Sequence, residues 1–140
     1  MRSENEFRTI QRLVPLLHAA YFVVGGLWGV VNRRSFEAIS GPKVDYWLVR
    51  TVGGLLAVVG AILASASRPG RSTPEIGWLA VGTSAVLVMV DVVYTAKRRI
   101  RWVYLLDAAV NVVLILGWID CRFWRAPASR VSVANQEPPS

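Results

Sequence analysis

Apolar residues lie in four long blocks that are separated by short polar segments. The blocks run over 13–31, 46–66, 76–96 and 102–119, and each approaches the roughly 20 residues that cross a bilayer as a helix. Tyrosines aside, each block holds one titratable residue, in order His18, Arg50, Asp91 and Asp107. The pattern predicts an all-α fold, a four-transmembrane-helix antiparallel bundle with helices at about 13–32, 46–67, 75–97 and 102–121.

The polar segments predict the domain organisation and the topology. Residues 1–12 form a polar N-terminal lead, 13–121 the four-helix transmembrane domain, and 122–140 a polar tail with the composition of a flexible segment. Four spans place both termini and the loop 68–74 on one side of the membrane, here side A. The other two loops lie on the opposite side, side B. Basic residues are divided almost evenly between the two sides, so they do not fix the orientation.

Composition and charge agree with a multi-pass protein of the cytoplasmic (inner) membrane. Apolar residues make up 54% of the 140, and the mean hydropathy is +0.41. The net charge of +7 comes from basic residues in loops and tails beside apolar blocks, where they determine topology and contact anionic lipids. We therefore expect membrane lipids as partners and no nucleic acid.

Each predicted helix carries one stripe of small or polar residues at helical spacing, which favours a compact bundle. We expect these stripes to face protein. They consist of His18, Phe22, Gly25, Gly29 and Asn32 on the first helix; Arg50, Gly53, Gly54, Ala57, Ala61 and Ala64 on the second; Gly77, Ser84 and Asp91 on the third; and Asp107, Asn111 and Trp118 on the fourth.

Three of the charged residues are predicted to form one layer. At ~1.5 Å per residue, Arg50, Asp91 and Asp107 all lie roughly 6–8 Å inside side B. A guanidinium has five donors and can serve two carboxylates, so the first interpretation is an Arg50–Asp91–Asp107 clamp that fixes helix packing. One arginine against two aspartates leaves one carboxylate in excess.

That excess leaves two functional alternatives open. In the first, the carboxylates and Asn111 bind the polar head of a lipid-like or amine-bearing molecule. In the second, they take part in proton- or cation-coupled transport by a homo-oligomer. Asn111 alone is more typical of an interhelical hydrogen bond. His18, a secondary candidate near side A, is more typical of a hydrogen-bonded core histidine than of a metal or haem ligand.

Chemistry-bearing motifs are missing from the sequence. It has no phosphate-binding glycine loop, no HExxH, no GxSxG and no Cys/His ligand set, and Cys121 is its one cysteine. We therefore expect no enzymatic activity, no metal and no cofactor.

The segments 41–53 and 91–94 are similar to stretches of uncharacterised bacterial membrane proteins, and the helix layout over 10–120 resembles the small bacterial DoxX-like family. That resemblance implies a four-helix membrane protein without catalytic residues that can be carried over. We expect an accessory or lipid/hydrophobic-ligand-binding module that works as a homo-oligomer or with a membrane-protein partner. An aromatic residue followed by a charge opens both the second and the fourth helix, so two related helical hairpins are an open alternative.

Overall fold

The computed structural model describes residues 4–68 and 71–123, and these residues form five helices. They are α1 (Glu4–Val31), α2 (Arg33–Ser40), α3 (Tyr46–Ser65), α4 (Pro74–Ala96) and α5 (Tyr104–Phe123). The all-α prediction is confirmed, and the four long helices match the four apolar blocks. The C-terminal tail beyond 123 lies outside the described residues.

Three helices within the described ranges are long and apolar enough to cross a membrane. These candidate spans are Arg12–Val31, Tyr46–Ser65 and Pro74–Ala96. Helix α5 also has 20 residues but is not one of these candidates. The structure is therefore compatible with a membrane protein.

Two boundaries differ from the prediction. Helix α1 begins at Glu4, so most of the polar lead continues the first helix. The first loop contains the unpredicted helix α2, which the Asn32 side chain caps by accepting a hydrogen bond from the Ser35 amide. Gly41, with a φ of 90°, ends α2 in a conformation that favours glycine. These capping residues were readable in the sequence, but α2 is too short for a periodic pattern.

Helices α1 and α3 pack most extensively against each other, as do α4 and α5. The backbones of α1 and α3 come so close that a Cβ on Gly26 would meet the Gly53 carbonyl oxygen, and the reverse is also true. A Cβ on Gly60 would lie 2.9 Å from the Ala19 carbonyl oxygen. Glycines therefore permit this helix crossing, as small residues do in membrane proteins.

The two helix pairs join around a small apolar core that includes Ala19, Phe22, Leu63, Ala80 and Trp118. Their side B ends are also connected. Arg101, in the α4–α5 loop, donates hydrogen bonds to the carbonyl oxygens of Ala38 and Ile39 at distances of 3.1 and 3.3 Å. The first and last loops of the domain therefore lie at the same end, as predicted.

Helix α2 is held by a second set of contacts centred on Glu37. Its carboxylate accepts hydrogen bonds from Arg33 Nε at 3.2 Å and from the Lys43 amide at 3.2 Å. The Arg33 hydrogen bond is the main reason that the pKa of Glu37 lies below its ordinary value. Glu37 is thus kept ionised on the outer face of side B.

Candidate ligand-binding site

The site is built around two carboxyl groups on the α4–α5 hairpin. Asp91 lies five residues before the end of α4 and Asp107 three residues after the start of α5. Because the helices run antiparallel, this spacing brings the carboxyl groups level with each other and close enough to interact. Asp91 is 5% exposed and Asp107 is half-buried. The predicted proximity of the two aspartates is therefore confirmed.

Two neutral side chains hold Asp107 in place. The Tyr21 hydroxyl of α1 donates a hydrogen bond to Asp107 Oδ1. Asn111 Nδ2 donates to Asp107 Oδ2 at 3.2 Å and to the Asp107 backbone oxygen at 3.0 Å. Both carboxylate oxygens of Asp107 thus have a donor. The fixed position of Asp107 leaves Asp91 as the less constrained member of the pair.

Tyr21 is a site residue that the sequence analysis missed. It lies within the first apolar block, where tyrosines were set aside in the count of titratable residues. The available signal was its position three residues after His18, which places it near the same helix face. Through Tyr21, the site includes α1 as well as the α4–α5 hairpin.

Several buried polar atoms around the carboxyl pair have no hydrogen-bond partner within the described residues. They are Asp91 Oδ2, Asn111 Oδ1 and Thr95 Oγ1. The Asn111 side chain is fully buried, and Thr95 lies one turn after Asp91 on α4. A buried acceptor without a partner costs about 1–3 kcal/mol, so two of them beside one carboxyl pair require an explanation.

Arg50 does not join this site, and the predicted Arg50–Asp91–Asp107 clamp is corrected on this point. Its side chain is exposed, and its guanidinium carbon lies 5.8 Å from the ring centroid of Tyr46. In the part of the chain that the structure describes, Arg50 forms no ion pair with either aspartate. Among residues 4–68 and 71–123, the cation that the clamp interpretation required is therefore absent from the layer formed by Asp91, Asp107 and Asn111, here called the carboxyl layer.

The rotation of α3 explains this error. Its buried residues are Tyr46, Gly53, Gly60 and Leu63, and Val49 packs on α1 with its Cγ1 2.9 Å from the Cβ position of Gly29. Gly53 of the predicted stripe lies on this face, whereas Arg50, Gly54 and Ala61 lie to one side of it. Since neighbouring residues are turned by about 100° around a helix, a face that includes Val49 directs Arg50 outward.

His18 forms a separate polar contact nearer side A, and it is fully buried, as its periodicity predicts. Trp118 Nε1 donates to His18 Nδ1 at 3.0 Å, and His18 Nε2 lies 3.1 Å from Ser84 Oγ. Because Nδ1 accepts, Nε2 carries the hydrogen of a neutral imidazole and donates to Ser84. Both ring nitrogens are occupied, which agrees with the hydrogen-bonding interpretation. The described residues contain no group of three or more metal-ligating side chains.

The two polar contacts occupy different levels of the bundle. Ser84 and Asp91 are seven residues apart on α4, and so are Asn111 and Trp118 on α5. At ~1.5 Å per residue, this spacing corresponds to about 10 Å along each helix. The His18 contact therefore joins three helices at one level, while Asp91 and Asn111 lie about 10 Å nearer side B.

Compared with known protein families, curated proteins and solved structures, the chain gives no match.

Proposed function

We propose that the chain is a four-span integral membrane protein without enzymatic activity, an accessory module of the cytoplasmic membrane that binds an amine-bearing hydrophobic molecule. Helix α5 is the fourth span. Its 20 residues cover about 30 Å at ~1.5 Å per residue, and it packs along α4, which is itself a candidate span.

The pair of unpartnered acceptors beside two contacting carboxyl groups carries this proposal. Asn111 Oδ1 is an amide oxygen and can only accept a hydrogen bond. Asp91 Oδ2 is likewise limited to accepting when Asp91 is ionised. Two carboxylates in contact also repel each other unless a proton or a cation lies between them. An ammonium group supplies positive charge and three donors, and so satisfies both requirements.

The surroundings favour a ligand with an apolar body. The carboxyl pair lies about 7 Å inside the side B end of α4, by the rise of a helix. Val90 and Val92 on either side of Asp91, and Leu106 just before Asp107, are exposed apolar residues that suit lipid or an alkyl chain. A small hydrated cation would lose its water at this depth, whereas an alkylamine already carries its own apolar surface.

Proton- or cation-coupled transport by a homo-oligomer is the second candidate. The direct contact of Asp91 with Asp107 favours it, because two such carboxyls can share one proton and exchange it for a cation. Both proposed functions use the same binding site, but only transport moves the bound molecule across the membrane. Uptake of the amine into sealed vesicles distinguishes transport from binding alone.

Calorimetry with decylamine tests the binding site on the purified full-length protein in detergent. We expect decylamine to bind more tightly than 1-decanol, which has the same chain and no charge. Asp91→Asn and Asp107→Asn should each weaken decylamine binding at least about tenfold, because each removes a charge that faces the ammonium group. Asp45→Asn, at an exposed position on side B, is the matched control.

The outcome that rejects the proposal is equally definite. Equal affinity for decylamine and 1-decanol would show that charge plays no part in binding. Wild-type affinity in Asp91→Asn would place any amine site elsewhere in the molecule.

A further inference from the structure

An apolar groove lies between α1, α2 and α3 on the side B half of the bundle. Its volume is about 260 Å³, and its lining includes Gly25 and Gly29 of α1, Phe36 of α2, and Leu48 and Val52 of α3. A Cβ added to Gly25 would meet nothing within 4 Å, so the groove is open at this glycine. Its lining comes from α1, α2 and α3 and does not include the carboxyl pair.

Two arginine side chains converge beside this groove on the ring of one tyrosine. The guanidinium carbon of Arg33 lies 4.5 Å from the Tyr46 ring centroid, and that of Arg50 lies 5.8 Å from it. The Tyr46 hydroxyl donates a hydrogen bond to the carbonyl oxygen of Gly29, which lines the groove. Tyr46 therefore links the position of both guanidinium groups to the groove.

The charge at this end of the first helix pair is unbalanced. Segment 32–50 contains four basic residues and two acidic ones. The basic residues are Arg33, Arg34, Lys43 and Arg50, and the acids are Glu37 and Asp45. Arg33 pairs with Glu37, whereas Arg50 forms no ion pair within residues 4–68 and 71–123. Because both guanidinium groups lie near the same ring, an anion beside Tyr46 would be attracted to both of them.

We propose that this groove and its two arginines bind an anionic phospholipid from the side B leaflet. Arg33 and Arg50 bind its phosphate, and one acyl chain lies in the groove along Gly25 and Gly29. Charge complementarity favours an anionic lipid over a zwitterionic one, and basic pockets between membrane helices bind anionic headgroups in this way. The proposal also gives a role to Arg50, which the carboxyl site does not use.

Native mass spectrometry of the full-length protein in detergent tests the proposal. The protein is mixed with equimolar phosphatidylglycerol and phosphatidylcholine that carry the same oleoyl chains. We expect phosphatidylglycerol to bind preferentially. Arg50→Gln should lower this preference about fivefold, the effect of one arginine at a membrane surface. Arg71→Gln, at an exposed position of the α3–α4 loop, should leave it unchanged.

Filling the groove provides a second variant that does not depend on charge. Gly25→Leu places a side chain into the open space, and we expect it to reduce lipid binding by at least the same factor. Gly82→Leu is the control, because the Cβ position of Gly82 on α4 also meets nothing within 4 Å and lies outside the groove. Both replacements remove a helical glycine, so neither is expected to impair folding.

Three results would overturn the proposal. The first is equal binding of the two phospholipids to the wild-type protein. The second is unchanged phosphatidylglycerol binding in Gly25→Leu or in Arg50→Gln. The third is binding of oleate alone as strongly as phosphatidylglycerol at the same concentration, which would assign the groove to a fatty acid.

Discussion

Buried polar side chains differ in how completely their hydrogen bonds are satisfied. His18 uses both ring nitrogens, with Trp118 as donor and Ser84 as acceptor. Asp91 and Asn111 each keep an acceptor without a partner among the described residues. Satisfied polar groups specify packing, whereas unsatisfied buried groups are costly and often belong to functional sites. The contrast supports a structural role for His18 and the binding role that we propose for the carboxyl layer.

Replacement of His18 tests its structural role. His18→Leu retains an apolar side chain of similar size but leaves Trp118 Nε1 and Ser84 Oγ without their partner. We expect the free energy of unfolding in detergent to fall by about 1–3 kcal/mol for each stranded group. The double variant His18→Leu with Ser84→Ala should recover part of that loss. A His18→Leu protein as stable as wild type would contradict the structural role.

Individual helices were predicted more accurately in extent than in rotation. The apolar blocks located the ends of α3, α4 and α5 to within about two residues. The extent of a helix depends on the sequence of that one segment and on no distant contact. The rotation of α3 depends on where its backbone meets Gly26, and that contact joins two distant parts of the chain. The small residues of α3 lie on more than one face, so periodicity alone selected a stripe that included Arg50.

The carboxyl layer was predictable where its residues are close in sequence. Asp91 and Asp107 belong to one tight hairpin, so counting residues from its loop places them level with each other. Asn111 follows one turn after Asp107 and was identified by that spacing. Tyr21 reaches the layer only through the packing of α1 on α5, which no local pattern encodes.

Adjacent glycines of α3 provide a matched test of the helix contact. A Cβ on Gly53 would collide with the Gly26 carbonyl oxygen, whereas a Cβ on Gly54 meets nothing within 4 Å. Gly53→Ala should therefore lower the free energy of unfolding by about 1–3 kcal/mol through overpacking. Gly54→Ala should raise it by about 0.5–1 kcal/mol through helix propensity. Equal effects in a denaturant titration would show that the α1–α3 interface is misassigned.

The whole molecule consists of two helix pairs that meet at two polar levels. Near side A, the His18 contact with Ser84 and Trp118 joins α1, α4 and α5. Nearer side B, Tyr21 brings α1 to the carboxyl pair, and Arg101 links the α4–α5 loop to α2. The first level is satisfied internally. The second level contains two acids without a cationic partner among the described residues, and this imbalance is the central claim of the proposed function.

The stability of the Asp91→Asn protein tests this claim most directly. A carboxyl group that serves as a ligand site contributes no stability without its ligand, and its removal relieves repulsion from Asp107. We therefore expect the free energy of unfolding of ligand-free Asp91→Asn in detergent to equal or exceed that of wild type, with Asp45→Asn as the control. If the carboxyl pair were instead neutralised within the bundle by a basic side chain, breaking that buried ion pair would cost about 3–5 kcal/mol. A loss of that size in Asp91→Asn would contradict the account.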